Sequence, residues 1–256
     1  MNTLTEVWVF SIAICSIILV SSFKMAGRLG LFIGFLISLV FIYLLLHKGL
    51  KLFLDQIKSE LHKGSDPTGF NQLISQNITQ YPIQKYFLHY TNERSHPLVW
   101  RDFKNDAHFV VNKNMVELLD SEEKFILVHL LLSHGTEHSK LRRRFFSIIY
   151  LSLHPVNRWL SPIFNTMAGF INLKKQVFKA DLLALKNSNS LTPEQRNDFS
   201  LFLRKIHNLN FHQTKYHRGE NYFSILSTSQ ASSFNLKLSP SLDIRLKNLM
   251  GDLTKK

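Results

Sequence analysis

Cysteine is almost absent: Cys15 stands alone, inside an apolar run. One thiol can form neither an internal disulfide nor a cysteine zinc cluster, so nothing here points to an oxidising compartment. Acidic side chains are scarce as well, 18 Asp and Glu against 31 Lys and Arg, for a net charge of +13. That balance suits nucleic acid, anionic lipid or acidic partners. The basic residues are dispersed, however, and no recognised nucleic-acid module is present, so nucleic acid is not an expected partner. There is no internal repeat. A basic start is missing too. The first residues, Met1 to Glu6, carry neither the lysine nor the arginine that opens a signal peptide.

What is present begins with two charge-free apolar runs, Val7 to Phe23 and Leu29 to Leu46. Each approaches the roughly 20 residues that a helix needs to cross a bilayer. The short polar link, Lys24 to Arg28, predicts a two-helix transmembrane hairpin over residues 1–50, with both ends on one side. Trp8 and Tyr43 fall where amphipathic rings prefer the interface. Lys24 and Arg28 nearly balance Lys48 and Lys51, so the positive-inside rule selects no orientation.

Residues 51–256 predict one further domain. Lys51 to Leu61 continues as a helix, and Lys63 to Pro67 is a breaker cluster. Asn71 to Gln80 reads as a helix. Lys85 to Tyr90, Leu98 to Phe103 and Ala107 to Asn112 read as strands of a small antiparallel sheet. Asp120 and Glu123 then make a capping-box start. The helix behind it, Phe125 to Leu132, is apolar on every face except for His129 and so belongs in the centre of the core. Residues 143–173 are apolar but broken by Pro155, Arg158 and Pro162, behind the basic run Arg142 to Arg144. Two readings stay open there: a helix in the lipid headgroup region or a buried helical pair. Lys174 to Lys186 is helical, Thr192 and Pro193 start another helix, and Ser239 and Pro240 start the last. The expected class is α+β, mainly helical.

Four landmarks now fall in order. The stretch Phe109 to His129 (FVVNKNMVELLDSEEKFILVH) resembles the strand, turn and helix that lead into the HExxH zinc motif of the membrane metallopeptidases of the HtpX and CAAX-prenyl-protease type. Gly64 to Phe70 (GSDPTGF) resembles the glycine-rich approach to that domain. Phe178 to Leu185 (FKADLLAL) is similar to the family's ExxxD helix, and Ser239 to Leu249 (SPSLDIRLKNL) to its closing HPxxxxR helix. The resemblance spans nearly the whole chain. It implies a zincin-like peptidase domain behind a membrane hairpin, attached to the bacterial inner membrane and facing the cytoplasm.

Zinc hydrolysis needs three protein ligands and an open position for water, and a carboxylate beside the first histidine to take the water's proton. Against the family pattern, His129 matches the first ligand, while Leu130 replaces the base and Ser133 the second ligand. Val177 replaces the third ligand, and Ser239 replaces a histidine implicated in transition-state binding. The retained positions are His129, Asp181 and Arg245. By resemblance Asp181 would support the zinc site from behind and Arg245 would stabilise the oxyanion side. Without ligands and base, His129 is expected to be a core histidine with Asp181 as its partner, and Arg245 is either a solvated helix residue or a pocket residue. The expected protein is a pseudopeptidase without zinc or other cofactor. Its partners would be the lipid bilayer and a membrane protein or peptide held in the retained groove by strand addition. The sequence sets no oligomeric state.

One alternative is an active zinc endopeptidase using His134, Glu137 and His138, which read as the inverted motif H-x-x-E-H. Gly135 inside the motif weakens a helix there. On the helix His134 and His138 also lie about 140° and 180° from His129. His207, His212 and His217 recur every five residues and share no helix or strand face, so they read as a solvated basic segment.

Overall fold

The structure, a computed structural model, describes residues 3–92, 96–102, 104–140, 144, 147–148, 173–188, 192–209 and 240–251. Helix α1 (Thr3–Tyr43) covers the first apolar run and most of the second. Its stretch Ser11–Tyr43 is long and apolar enough to cross a membrane, and large apolar side chains such as Ile12, Leu29 and Phe32 stand exposed along it. The backbone leaves helical geometry at Ala26 (φ −141, ψ 21) and Gly27 (φ 57, ψ −134), inside the polar link. Gly30 is needed as glycine, because a Cβ there would collide with the carbonyl oxygen of Ser22.

A π-helical turn, Leu44–Lys48, leads into α2 (Gly49–Gln56). The sequence expectation of a helix to Leu61 overshoots. The chain turns out of α2 and enters the short strand β1 (Glu60–Leu61). Then come α3 (Phe70–Asn77), β2 (Tyr86–Thr91), β3 (Leu98–Arg101), β4 (Ala107–Asn112) and α4 (Lys113–Leu118). After them follow α5 (Ser121–His138), α6 (Leu173–Asn187), α7 (Pro193–Asn208) and α8 (Leu242–Gly251). Residues 145–146 and 149–172, most of the stretch expected at the interface, lie outside the described residues, as do His212, His217 and Ser239.

The sheet is mixed, not antiparallel. Its order is β1-β2-β4-β3. β2 runs parallel to β4, while β1 on β2 and β3 on β4 are antiparallel. Alternating strands of similar composition do not encode who neighbours whom, and β3 docks on the far side of β4 rather than between β2 and β4. β4, the strand that precedes α4 and α5, is therefore interior.

Both faces of the sheet are covered. Phe109 and Val111 face α5 in the main core, beside Phe70 and Ile74 of α3 and Phe199 and Leu203 of α7. On the other face Phe53 of α2 stands edge-on to Trp100, with ring centroids 5.4 Å apart, and the Thr91 hydroxyl donates to the Ile57 carbonyl at 3.1 Å. This second face also buries a polar row. The His108 Nε2 lies 3.3 Å from Asp102 Oδ2, and its Nδ1 lies 3.1 Å from His89 Nε2.

α5 starts at the expected capping box. Glu123 N–H donates to Asp120 Oδ1 at 2.8 Å, and Asp120 N–H donates to Glu123 Oε2 at 3.2 Å. Its residues from Ile126 to Gly135 are all buried, as an apolar circumference requires. Gly135 lies against the sheet residue Phe109 and against Ile83. A Cβ there would meet Phe109 at 3.2 Å and Ile83 at 3.3 Å. The fully buried Arg101 reaches the same point, donating from Nε to the Gly135 carbonyl at 3.0 Å and from Nη1 to the Asn105 carbonyl at 2.7 Å.

Candidate functional site

Two polar clusters flank α5, and they divide the residues singled out in the sequence. On one face, His129 and Ser133 stand one turn apart and meet Tyr81, which ends the 3-10 turn Ile78–Gln80. Tyr81 Oη is 2.7 Å from His129 Nδ1, and the Ser133 hydroxyl donates to it at 3.3 Å. Phe125 lies edge-on to the imidazole at 4.4 Å. His129 is fully buried, and burial pushes its pKa down to about 4. The ring is thus neutral, and its Nε2 has no hydrogen-bond partner among the described residues. Burial raises the Tyr81 phenol, with Ser133 and Asn187 beside it opposing that rise.

The other face meets α6, the element α5 packs against most. Here Asp181 is the hub. Its Oδ1 lies 3.2 Å from His134 Nε2. Arg245 of α8 clamps it from both sides, Nε on Oδ2 at 2.8 Å and Nη2 on Oδ1 at 2.6 Å. All three residues are buried, with at most 1% of their surface exposed. Burial alone would raise the Asp181 carboxyl. The Arg245 charge and the His134 and Arg245 hydrogen bonds outweigh burial and hold the carboxyl below its ordinary value.

The expectation that Asp181 partners His129 is therefore overturned. Five residues advance about 140° around a helix, so the face carrying His129 turns to Tyr81 while the face carrying His134 turns to α6. Arg245 is buried in the site and is not a solvated helix residue. His138 lies one turn beyond His134 on the same face, also buried, with Nδ1 3.4 Å from the Ser147 hydroxyl. Glu137 is taken up by an ion pair with Lys140, Nζ to Oε2 at 2.8 Å. Leu130 and Val177 are buried apolar side chains.

Asn187, at the end of α6, lies beside Tyr81, whereas Asp181 lies at His134, and Val177 stands one turn before Asp181 on α6. Sequence reasoning passed over Tyr81 and Arg101, although an aromatic hydroxyl and a buried arginine carry much of the polar wiring.

Among the described residues no group of three or more His, Cys, Asp or Glu side chains is placed to hold a metal ion. No protein-family model matches the chain, and no curated protein matches it. Among solved structures the crystal structure of S. mikatae Ste24p is similar, with a TM-score of 0.46 and 12% identity over 96% of this chain and 67% of that one.

Proposed function

We propose that this chain is a membrane-anchored, metallopeptidase-like protein that has lost peptide cleavage and acts by binding. The observation that carries this reading is the Asp181 hub: a buried carboxylate held by His134 and Arg245, with Val177 one turn before it on α6. By the family resemblance an aspartate lies behind the zinc ligands, and the third ligand precedes it by four residues. The histidine that bears this relation to Asp181 is His134, with His138 one turn beyond it on the same helix, rather than position 129 or 133. In that register Gly135 stands where the base belongs, pressed against Phe109 and Ile83, and Val177 stands for the third ligand. In the register read from the sequence, Leu130 stands for the base. Neither arrangement supplies a carboxylate to activate water. Zinc is thus not part of the proposed activity, and the alternative of an endopeptidase using His134, Glu137 and His138 loses its base to Lys140.

The apolar N-terminal segment is read as a hairpin in the bilayer. The break at Ala26 and Gly27 and the approach of Gly30 to Ser22 support a reversal, since residues eight apart on one continuous helix stand about 12 Å apart. By resemblance the membrane is the bacterial inner membrane and the domain faces the cytoplasm. The partner is a peptide or a membrane protein. With β4 interior, the sheet's edges are β1 and the buried β3, and the exposed β1 is the one that strand addition would use.

The test is metal content and peptidase activity of the full chain purified in detergent. The expected result is substoichiometric zinc and no cleavage of unfolded protein substrates. One zinc per chain, lost together with cleavage on His138→Ala, would refute the reading.

A further inference from the structure

Acidic side chains are scarce in this chain, yet four of the 18 line a single groove. The groove lies between the start of α5 and the middle of α7 and holds about 330 Å³. Each helix brings the same pair of residues to it. α5 supplies Glu122 and, four residues on, Ile126; α7 supplies Asp198 and, four residues on, Phe202. Residues four apart share one helix face, so each wall carries a carboxylate one turn ahead of an apolar residue. Ile126 and Phe202 belong to the main core and form the floor. Leu201 stands on the rim, 52% exposed.

Two of the four carboxylates are engaged within the fold. Asp120 and Glu123 make the capping box of α5. Glu123 also takes Lys205, the one cation that lines the groove, with Nζ to Oε2 at 2.7 Å. Glu122 and Asp198 are exposed and make no hydrogen bond or ion pair among the described residues. Glu122 sits in the first turn of α5, where the helix dipole favours an acid. Asp198 lies beyond the first turn of α7 and has no such role. What remains is an apolar floor, an exposed leucine and a free carboxylate on each wall, in a chain whose net charge is +13.

We propose that this groove docks a basic peptide segment of a partner protein. One leucine-sized side chain seats on Ile126, Phe202 and Leu201, while lysines or arginines on either side of it meet Glu122 and Asp198. Charge complementarity selects this occupant: an acidic segment would face the free carboxylates with like charge, and an uncharged one would leave them unanswered. The volume is at the lower end of ligand sites, about 300–1,000 Å³, which limits the insertion to one or two side chains. None of these residues belongs to the His129 cluster, the Asp181 cluster or β1, so the proposal is independent of the peptidase reading.

The experiment uses the full chain in neutral detergent micelles and a dye-labelled peptide, KKLLKK, read by fluorescence anisotropy. The chain as a whole repels this peptide, so binding reports the local acids. The expected result is saturable binding that falls with added salt, weakens when the leucines are replaced by serine, and is absent for EELLEE. Asp198→Lys turns one attraction into a repulsion and should weaken binding about fivefold. At this exposed position it should leave the melting temperature unchanged. A benzophenone carried at Arg204→Cys on a Cys15→Ser background, exposed and one turn beyond Leu201, should cross-link to the peptide. No binding, or binding to the Asp198→Lys chain equal to the parent's, would overturn the proposal. So would cross-links from position 204 to residues 210–218 of the same chain, or to a second copy, that excess peptide does not displace.

Discussion

Acidification should unfold this domain steeply, and three buried histidines set the size of the effect. Burial lowers the pKa of His89 to about 3, with His108 adding to the shift. Burial likewise lowers His96 to about 4, with His207 adding to it, and His129 to about 4. All three are under 8% exposed, so solvent screens them little. The folded chain keeps these rings neutral, whereas the unfolded chain protonates them near the ordinary value of about 6.5. The unfolded state thus binds more protons below that value. Stability is fully present above about pH 6.5 and is lost as pH falls toward the folded pKa values. At pH 5 each ring costs about 2 kcal/mol relative to pH 7.5, about 6 kcal/mol for the three. That is comparable with the whole stability of many domains, about 5–15 kcal/mol. Denaturant unfolding of the full chain in detergent, followed by circular dichroism between pH 7.5 and 5, reads the slope directly. His89→Asn should remove about a third of it, because Asn cannot take up the proton. An unfolding midpoint that does not move over this range would refute the reasoning.

Two further perturbations probe the wiring around α5. Asp181→Ala leaves the buried Arg245 guanidinium without its carboxylate and should cost about 3–5 kcal/mol, the range for breaking a buried pair by removing one partner; denaturant midpoints measure it. Asp120→Ala removes the acceptor for the Glu123 N–H and should cost about 1 kcal/mol. Because the cap sits at the exposed end of α5, the loss should appear as faster amide exchange in its first turn rather than in its centre.

Local signals were readable in the sequence. The capping box of Asp120 and Glu123, the helix start at Thr192 and Pro193, and the strand Ala107–Asn112 stand where composition and spacing place them. Each depends on residues within a few positions of one another. Strand order does not: nothing in the pattern of β2, β3 and β4 states that β2 pairs with β4 in parallel. The rotation of α5 was hidden for a different reason. A helix apolar all round presents no single face to the core, so periodicity cannot tell whether His129 or His134 turns to α6. That choice is made by polar partners far along the chain, Tyr81 for one face and Asp181 with Arg245 for the other.

The most direct test of the account is a single substitution, Val177→Glu, followed by zinc binding. If His134 and His138 are the surviving ligand pair and position 177 the vacated third, the variant should bind one zinc per chain, lost on further His138→Ala, while the parent chain binds none. It should still cleave no substrate, because Gly135 supplies no base. A folded Val177→Glu chain that takes up no zinc, or a parent chain that already holds one, would contradict the account.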